Sequence, residues 1–587
     1  MILQRLAEHY DRMIASGDTY LPLHGSSQQK MSFCIVLNPD GTLNQFESML
    51  QQEGKRLIAQ SLIVPGQSKP TGQGINPCLL WDNAAYLLGY TALPENQERA
   101  KQTFRASREK HLALEDAVHH PSYSAVCRFM EAWSPELAGE HPELAESTTN
   151  FGVFRIAGAT RFVHQEVNLP DTESKSESSE EESAFCLVSG ERAPAARLHE
   201  PKIKGVAGAQ SSGALLVSFN ASAFTSYGKD QSFNAPVSTS TVFKYANALN
   251  RLLQTRSVRL GDMTFVYWAD HSSVVENLFG LTFTGTREEQ STKEDEARVK
   301  EAKLLLSQVR SGTQNSKLDL TEGPTKFYIL GLSPNASRLS VRIWIEADAE
   351  EIFRRLRAHV DDFALKGGSD ELPPPLWLVA VATGRAEHDA NGRLKSYDSD
   401  SVSPLLAGEL ARSVLTGAPY PQSLLAAMVR RIQADGEISS VRVRAIKACL
   451  IRNTQHTATP LRIPMELDTD YADIPYRCGR LFAILEKAQS DSLGGDLNST
   501  IKDRYFSSAS VTPGFILPRL FRLNVHHLNK LERPSKIFYE RLIGSIMSGS
   551  FDFPKRQSLA EQGRFVIGYF QQRQDLYTKK QEKAEEN

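Results

Sequence analysis

The sequence predicts a multidomain α+β protein, mixed in its N-terminal region and helical at its C-terminal end. Three observations lead to this fold class. The chain has 587 residues, which is long enough for several domains. Short apolar runs bounded by turn residues, such as residues 31–37 and 264–268, predict strands in β-sheets. Beyond about residue 400 the apolar residues recur at helical spacing, which predicts a bundle of helices.

Three regions follow from these patterns. Residues 1–400 form an α+β region, residues 401–464 a helical connector, and residues 465–587 a C-terminal helical bundle. Pro464 marks the last boundary, because proline commonly precedes a new helix. The acidic Ser/Glu run at about 171–183 cannot bury apolar surface, so it predicts a flexible surface loop.

Individual elements can be placed in chain order. Residues 1–15 predict an amphipathic helix whose apolar side chains share one face. A turn at residues 38–41 predicts that the strand over 31–37 pairs with a second strand. The remaining predicted elements are a helical region over 95–133, a strand over 215–219, a charge-rich helix over 286–312, a hairpin formed by 326–332 and 339–344, and helices that include 479–487, 499–506 and 526–531.

Composition and charge limit the classes of protein to which this chain can belong. The formal net charge of -2 and the pI of about 6.7 argue against a uniformly basic nucleic-acid binder, yet they leave room for local basic grooves. The 6 cysteines are scattered without a CxxC pair, which disfavours a zinc ribbon and predicts a reducing compartment. The N-terminal segment does not resemble a signal peptide, and no apolar run reaches membrane-spanning length. We therefore expect a cytoplasmic protein without a membrane partner.

The first candidate binding segment is a glycine-rich polar loop within residues 71–89. Glycine lets a partner approach the backbone closely, and amide side chains carry paired donors and acceptors. The loop positions that carry this pattern are Gly72, Gln73, Gly74 and Asn76. We expect Lys69 to add a phosphate contact beside them. The apolar residues over 79–88 recur at helical spacing, so a tight turn before a core helix is the alternative.

The second candidate segment is residues 226–238, which join an aromatic ring, a cation, amides and hydroxyls. Stacking together with phosphate and base-edge contacts requires these residue types in one loop. The alternative is a long capped loop without a ligand. The candidate contact residues are Tyr227, Lys229, Gln231, Ser232 and Asn234.

Motifs typical of several enzyme classes are absent from the sequence. There is no GxxxxGK[ST] phosphate loop, so residues 295–298 carry little weight as a helicase box. There is no GxSxG nucleophile elbow. Adjacent histidines, as at 119–120 and 526–527, point to different faces of an element and do not predict a metal site. These absences argue against a nucleotide-dependent or metal-dependent enzyme, and we expect neither a cofactor nor a metal.

A set of segments spread over nearly the whole chain is specific when it is taken together. The segments are residues 1–6, 74–77, 81–89, 226–231, 234–238, 328–335, 479–486, 505–510 and 568–570. Through them the chain resembles the large subunit of the type I-C CRISPR surveillance complex, Cascade.

The resemblance implies a non-catalytic subunit whose N-terminal region, residues 1–400, docks into the complex and recognises the protospacer-adjacent motif (PAM) in double-stranded DNA. It also implies that the protein promotes duplex opening and R-loop formation and supports recruitment of the helicase-nuclease. The implied partners are the target DNA, the guide RNA ribonucleoprotein, the Cascade backbone and foot subunits, the small subunit and the helicase-nuclease. The alternatives are a stand-alone nucleic-acid-processing enzyme and a purely structural scaffold subunit.

The resemblance further implies that the C-terminal bundle is also made separately, as the small subunit, by internal translation. Met465 is a candidate start, because it is the only methionine between Met428 and Met547. An ordinary residue at a domain boundary is the alternative. Cations in this region are candidates to contact a displaced DNA strand, namely Arg480, Lys487, Lys502 and Arg504, with Arg477, Arg519 and Arg522 as further members.

Overall fold

The protein is described by a computed structural model and divides into two compact units. The residues outside the description are 54–55, 68, 70–73, 142–143, 146–149, 171–182, 272–273, 286–324, 367–372, 391, 495–499, 550–551 and 586–587. The first unit comprises Met1–Gly205, Ala209–Thr255 and Asn335–Leu339, and the second comprises Val206–Gly208, Arg256–Pro334 and Ser340–Asn587. The predicted boundaries near residues 400 and 464 stay predictions.

The first unit is built around a six-stranded sheet with helices. Its elements are α1 (Ile2–Ala15), β1 (Ser26–Leu37), β2 (Leu43–Ser48), β3 (Leu50–Glu53), β4 (Arg56–Pro65), β5 (Trp81–Asn83), α2 (Ala84–Leu88), α3 (Gln97–Leu112), α4 (Glu115–Val118), α5 (Pro121–Ala132), β6 (Phe151–Ile156), α6 (Val163–Glu166), β7 (Ser183–Phe185), β8 (Arg192–Pro194) and α7 (Thr239–Thr255). The strand order is β3-β4-β1-β6-β5, and β2 also pairs with β1. The small β7–β8 hairpin lies outside this sheet.

Strand β1 is the centre of this sheet because its apolar run is buried on both faces. It pairs antiparallel with β2 and β4 and parallel with β6. Successive side chains of a strand point to opposite faces. Accordingly, Phe33 and Ile35 pack in one apolar cluster with residues of α5, whereas Cys34 and Val36 pack in another with Trp81.

The second unit joins a four-stranded antiparallel sheet to a large helical assembly. Its elements are β9 (Ser257–Leu260), β10 (Met263–Ala269), α8 (Val274–Thr284), β11 (Lys326–Asn335), β12 (Arg338–Asp348), α9 (Ala349–Asp362), α10 (Leu376–Val381), β13 (Ala386–His388), β14 (Leu394–Tyr397), α11 (Pro404–Thr416), α12 (Gln422–Asp435), α13 (Ser440–Thr454), α14 (Ile474–Ser492), α15 (Ile501–Val511), α16 (Pro513–Leu528), α17 (Arg533–Met547) and α18 (Leu559–Glu585). The sheet order is β12-β11-β10-β9, and β13 and β14 form a separate hairpin. One apolar cluster runs from Phe265 on β10 to Phe482 on α14.

Helices α14 and α18 approach each other closely because each presents a glycine to the other. A Cβ atom built on Gly479 would lie 2.0 Å from the carbonyl oxygen of Phe565, and one built on Gly568 would lie 2.1 Å from that of Tyr476. Such distances are far below van der Waals contact. The two glycines therefore fix how tightly the C-terminal helices pack.

Several basic side chains of α13 are turned into the core of the second unit. The guanidinium of Arg442 donates to the carbonyl oxygens of Ala382 and Gly384 at 2.9 and 2.8 Å. That of Arg452 donates to Asp362 Oδ2 at 2.6 Å. These cations hold the helices together and are not part of a basic surface.

The predicted α+β class is confirmed, since sheets and helices both occur up to Tyr397 and the described elements beyond it are helices. The helix over residues 1–15, the strand pair around residues 38–41 and the hairpin over 326–344 are present as α1, β1–β2 and β11–β12. The charge-rich helix predicted over 286–312 and residues 171–182 of the acidic run lie outside the described residues.

Two local predictions are wrong, and the helix predicted over 526–531 ends at Leu528. The segment 215–219 is not a strand, because Leu215 makes a single bridge with Arg338 and the chain then bends at residues 216–217. The helical spacing over 79–88 is only partly realised. Trp81–Asn83 pairs with β6 as a strand, so the helix begins at Ala84.

Candidate functional site

Loop 1 (residues 74–82) is fastened to the end of α3 by two hydrogen bonds. Lys110 Nζ donates to the carbonyl oxygen of Pro77 at 2.8 Å, and the backbone N–H of Leu80 donates to His111 Nε2 at 2.9 Å. Leu80 has a φ of 65°, a backbone conformation that a leucine rarely adopts. The loop is therefore held in a strained shape by contacts that come from a distant part of the sequence.

The imidazole of His111 is neutral, and its surroundings determine which nitrogen carries the proton. Nδ1 lies 2.7 Å from the carbonyl oxygen of Ser107, so Nδ1 is the donor and Nε2 is left to accept from Leu80. Complete burial lowers the pKa of His111 to about 4, although the Ser107 carbonyl opposes this effect. The ring is thus a fixed acceptor at neutral pH.

Lys69 forms a buried ion pair with Asp82, the last residue of loop 1. The ammonium of Lys69 contacts Asp82 Oδ1 and lies 3.2 Å from the centroid of the Tyr86 ring, while Asp82 Oδ2 accepts from the N–H of Cys78 at 3.0 Å. Burial raises the pKa of Asp82, and the Lys69 ammonium opposes that rise. The Lys69 side chain is only 13% exposed, so its charge is used within the protein.

A cavity of about 440 Å³ opens beside this ion pair. The predicted residues Lys69, Gly74 and Asn76 line this cavity. Further lining residues were not identified from the glycine-rich sequence of loop 1. Those side chains are Asn83 from the start of α2, Asn96 and Arg99 from the start of α3, and the rings of Tyr86 and Phe151. The predicted positions Gly72 and Gln73 lie outside the described residues.

Loop 2 (residues 226–234) projects an aromatic ring and a cation from a tight turn. Tyr227 and Gly228 have φ values of 51° and 69°, the pattern of a type I′ turn, and the N–H of Lys229 donates to the carbonyl oxygen of Ser226 at 3.0 Å. Tyr227 is 98% exposed. Lys229 is exposed as well, and its ammonium has no ion-pair partner among the described residues.

The side-chain amide of Asn234 stabilises this turn by hydrogen bonds to its backbone. Its Oδ1 accepts from the N–H of Ser226 at 2.9 Å, and its Nδ2 donates to the carbonyl oxygens of Lys229 and Gln231 at 2.8 and 2.9 Å. The amide of Asn234 is thus committed to the loop. Ser232 is buried at its base.

Gln231 is also engaged within the protein, because its Oε1 accepts from Arg197 Nη1 at 2.9 Å. Among the described residues, no hydrogen bond or ion pair joins loop 1 to loop 2. The structure therefore separates the predicted residues of loop 2 into an exposed pair, Tyr227 and Lys229, and a supporting group.

The predicted C-terminal cations differ in exposure. Arg480 is 2% exposed and donates to Gln572 Oε1 at 3.0 Å and to the carbonyl oxygen of Thr469 at 3.1 Å. Lys487 is 5% exposed and pairs with Asp491. On α15, by contrast, Lys502 is half-buried and Arg504 is exposed.

The described part of the chain offers neither a metal-binding cluster nor a helix that could span a membrane. No group of three or more His, Cys, Asp or Glu side chains in it is placed to hold a metal ion. No helix in it is long and apolar enough to cross a lipid bilayer.

The comparisons with known proteins identify a family. A family model described as CRISPR-associated protein (Cas_Csd1) matches residues 6–577, a stretch that includes both loops and the C-terminal helices. No curated protein matches the chain significantly. Members of this family belong to CRISPR effector complexes. The chain therefore belongs to the Cas_Csd1 family of CRISPR-associated proteins, as its resemblance to the Cascade large subunit predicted.

Proposed function

We propose that this protein is the non-catalytic large subunit of a type I-C Cascade and that it reads the PAM in double-stranded DNA. In this role it promotes opening of the duplex next to the PAM and formation of the R-loop, and it supports recruitment of the helicase-nuclease. Its partners are the guide RNA ribonucleoprotein, the backbone and foot subunits, and the small subunit. Base pairing with the guide then reads the remainder of the target.

The geometry of loop 2 is the observation that carries this proposal. A tyrosine with a positive φ is uncommon, and such backbone strain is typical of functional sites. Tyr227 offers a flat ring for stacking, and Lys229 beside it offers a charge for phosphate. Asn234 fixes the turn in advance, so binding would cost little ordering entropy.

Loop 1 supplies a group that suits base edges. The Asn76 side chain is exposed and has no hydrogen-bond partner among the described residues. A free carboxamide can pair with donors and acceptors in a DNA groove. The loop is also held rigidly by Lys110 and His111, and rigid elements position specific contacts better than mobile ones do.

The predicted C-terminal cations would have two different roles in binding the displaced DNA strand. Lys502 and Arg504 on α15 are accessible enough for phosphate contacts. Arg480 and Lys487 are engaged inside the bundle, so they would support it and would reach a strand only after rearrangement.

A randomised PAM library tests the proposal directly. The reconstituted complex should select a short motif next to the protospacer, and a complex with Tyr227→Ala and Lys229→Ala should bind the selected duplexes more weakly. Asn168→Ala is a suitable control because this side chain is exposed and lies outside both loops. Unselective binding by the wild-type complex would contradict PAM reading, and unchanged binding by the loop 2 variant would point to a scaffold role instead.

A separate measurement tests whether the protein lacks catalytic activity. Purified protein should show neither nuclease nor ATPase turnover with Mg²⁺, Mn²⁺ or Zn²⁺ added. Metal-dependent turnover that co-purifies with the chain would favour the stand-alone enzyme.

A further inference from the structure

The cavity behind loop 1 is large enough to hold a small ligand. Its volume of about 440 Å³ falls within the roughly 300–1,000 Å³ typical of small-molecule sites. It is lined from three directions, by loop 1, by the first turns of α2 and α3, and by Phe151 of β6. All of these elements belong to the first unit.

Three asparagine side chains line this cavity, and Asn76 and Asn96 are exposed, so a ligand can reach their amide groups. Asn83 uses only its Oδ1, which accepts from the N–H groups of Ala85 and Tyr86 at 3.1 and 3.3 Å and caps α2. Its Nδ2 has no acceptor among the described residues, and the same holds for both amide atoms of Asn76 and Asn96. Several accessible amide donors and acceptors around one cavity suit a polar ligand, which would replace the water that these groups bind.

The rest of the lining narrows the chemistry of that ligand. Phe151 and Tyr86 supply aromatic surface, and Arg99 supplies positive charge, whereas the Lys69 ammonium is paired with Asp82. Amides for a base edge, aromatic surface for a base plane and cations for a phosphate are the groups that recognise a nucleotide taken out of a helical stack. Gly74 also lines the cavity, and a Cβ atom there would lie 3.1 Å from Asn76 Nδ2, so a side chain at this position would crowd that amide.

We infer that this cavity receives one unpaired nucleotide when the complex engages its target. The inference rests on the proposed function, because it requires loop 1 to face nucleic acid. It deepens that function by adding a pocket for a single extruded nucleotide to the reading of duplex base edges. The nucleotide could come from either DNA strand beside the PAM or from the guide RNA, since all three share a base and a phosphate.

Photocrosslinking distinguishes these sources. Halogenated pyrimidines crosslink to nearby aromatic side chains, so 5-iodouracil is placed at successive positions in the target strand, the opposite strand and the guide RNA of separate assembled complexes. We expect one position in one of the three strands to crosslink to the peptide that contains Tyr86 or Phe151. Mass spectrometry of the crosslinked peptides identifies both partners.

Two variants show whether the crosslink depends on the cavity. Ala85→Met fills the space from its lining, and Asn96→Ala removes one amide, so each should reduce the crosslink. Ala106→Met is the matched control, because Ala106 is a half-buried alanine of α3 that does not line the cavity.

The outcomes separate this inference from the proposed function. PAM selectivity of the same complexes is measured on the randomised library. If the wild-type complex is selective but no position crosslinks to Tyr86 or Phe151, or if the crosslink persists in Ala85→Met, the pocket is overturned while PAM reading stands. If the wild-type complex also lacks PAM selectivity, both the nucleotide pocket and the proposed function are contradicted.

Discussion

His111 accepts a hydrogen bond at 2.9 Å from the backbone N–H of Leu80, although 31 positions separate the two residues in the sequence. This contact ties the end of α3 to the strained residue just before β5. Since the ring is completely buried and neutral, its protonation would break the bond and place a charge in an apolar core. The shape of loop 1 should therefore depend on pH.

The sign of that dependence follows from the lowered pKa of His111. An unfolded histidine titrates near 6.5 and this one near 4, so the unfolded state binds more protons between these values. The stabilisation is complete above pH 6.5 and is lost as the pH falls toward 4, by up to about 3 kcal/mol. Amide hydrogen exchange at Leu80, corrected for intrinsic rates, measures the loss.

His111→Gln is the control for this prediction, because glutamine does not titrate in that range. His164 and His199 are also buried with pKa values lowered to about 4, and they remain in the variant. The difference between the two proteins therefore isolates His111. Equal pH slopes at Leu80 in both would show that this histidine is not the titrating group.

Asn76→Ala should relax PAM discrimination. Loss of one base-edge contact typically costs about 1–3 kcal/mol of discrimination against the wrong base. Gln73→Ala should act in the same direction, as predicted from the sequence. The measurement is the ratio of dissociation constants for matched and mismatched PAM duplexes, with Asn168→Ala as the control. Ratios that stay at the wild-type value in both variants would remove base reading from loop 1.

Lys229→Ala should weaken DNA binding equally for all sequences. Each neutralised phosphate contributes about 0.9 to the slope of log K against log salt concentration, so the slope should decrease in magnitude by about this amount. Lys395→Ala is a matched control, because Lys395 is exposed and lies on the separate β13–β14 hairpin. A slope that matches wild type would make Lys229 an ordinary solvated cation.

Gly479→Ala should destabilise the C-terminal helices, because the new methyl group would collide with the backbone of α18. Overpacking of this kind costs about 1–3 kcal/mol and often more where backbone must move. Gly544→Ala on α17 is the control, since no atom lies within 4 Å of its added Cβ. Alanine there should stabilise the helix by up to about 1 kcal/mol. Thermal unfolding followed by circular dichroism compares the two, and equal midpoints would contradict the close approach of α14 and α18.

The sequence alone could predict those features that depend on residues close together in the chain. The glycines and amides of loop 1 and the residue types of loop 2 indicated contact surfaces because their composition is local. Asn96 and Arg99 reach the cavity only through packing of α3, which no local pattern encodes. Arg480 is the opposite case, because a cation at helical spacing is typical of a solvated face, whereas this side chain is buried. Its partner Gln572 lies on α18 and becomes visible only in the fold.

The segment around Met465 lies between α13 and α14, and Met465 is half-exposed. The residues that follow it are held on the C-terminal helices. Arg480 Nη1 donates to the carbonyl oxygen of Thr469 at 3.1 Å, and the N–H of Asp468 donates to the hydroxyl of Tyr476 at 3.5 Å. A chain that started at Met465 would therefore keep these two contacts and all of α14 to α18, and it would lose the bonds that Lys366 makes with Met465 and Glu466.

Expression of the native gene should accordingly yield a second, short product that carries the C-terminal sequence. A start at Met547 would leave only α18, which cannot cover its own apolar face, so Met465 is the better candidate start in this part of the chain. Met465→Leu should remove the short product and leave the full-length protein intact, as judged by immunoblotting of a C-terminal tag. Met547→Leu is the matched control and should change neither product. Absence of the short product from the native gene, or its survival in Met465→Leu, would make Met465 an ordinary residue between two helices.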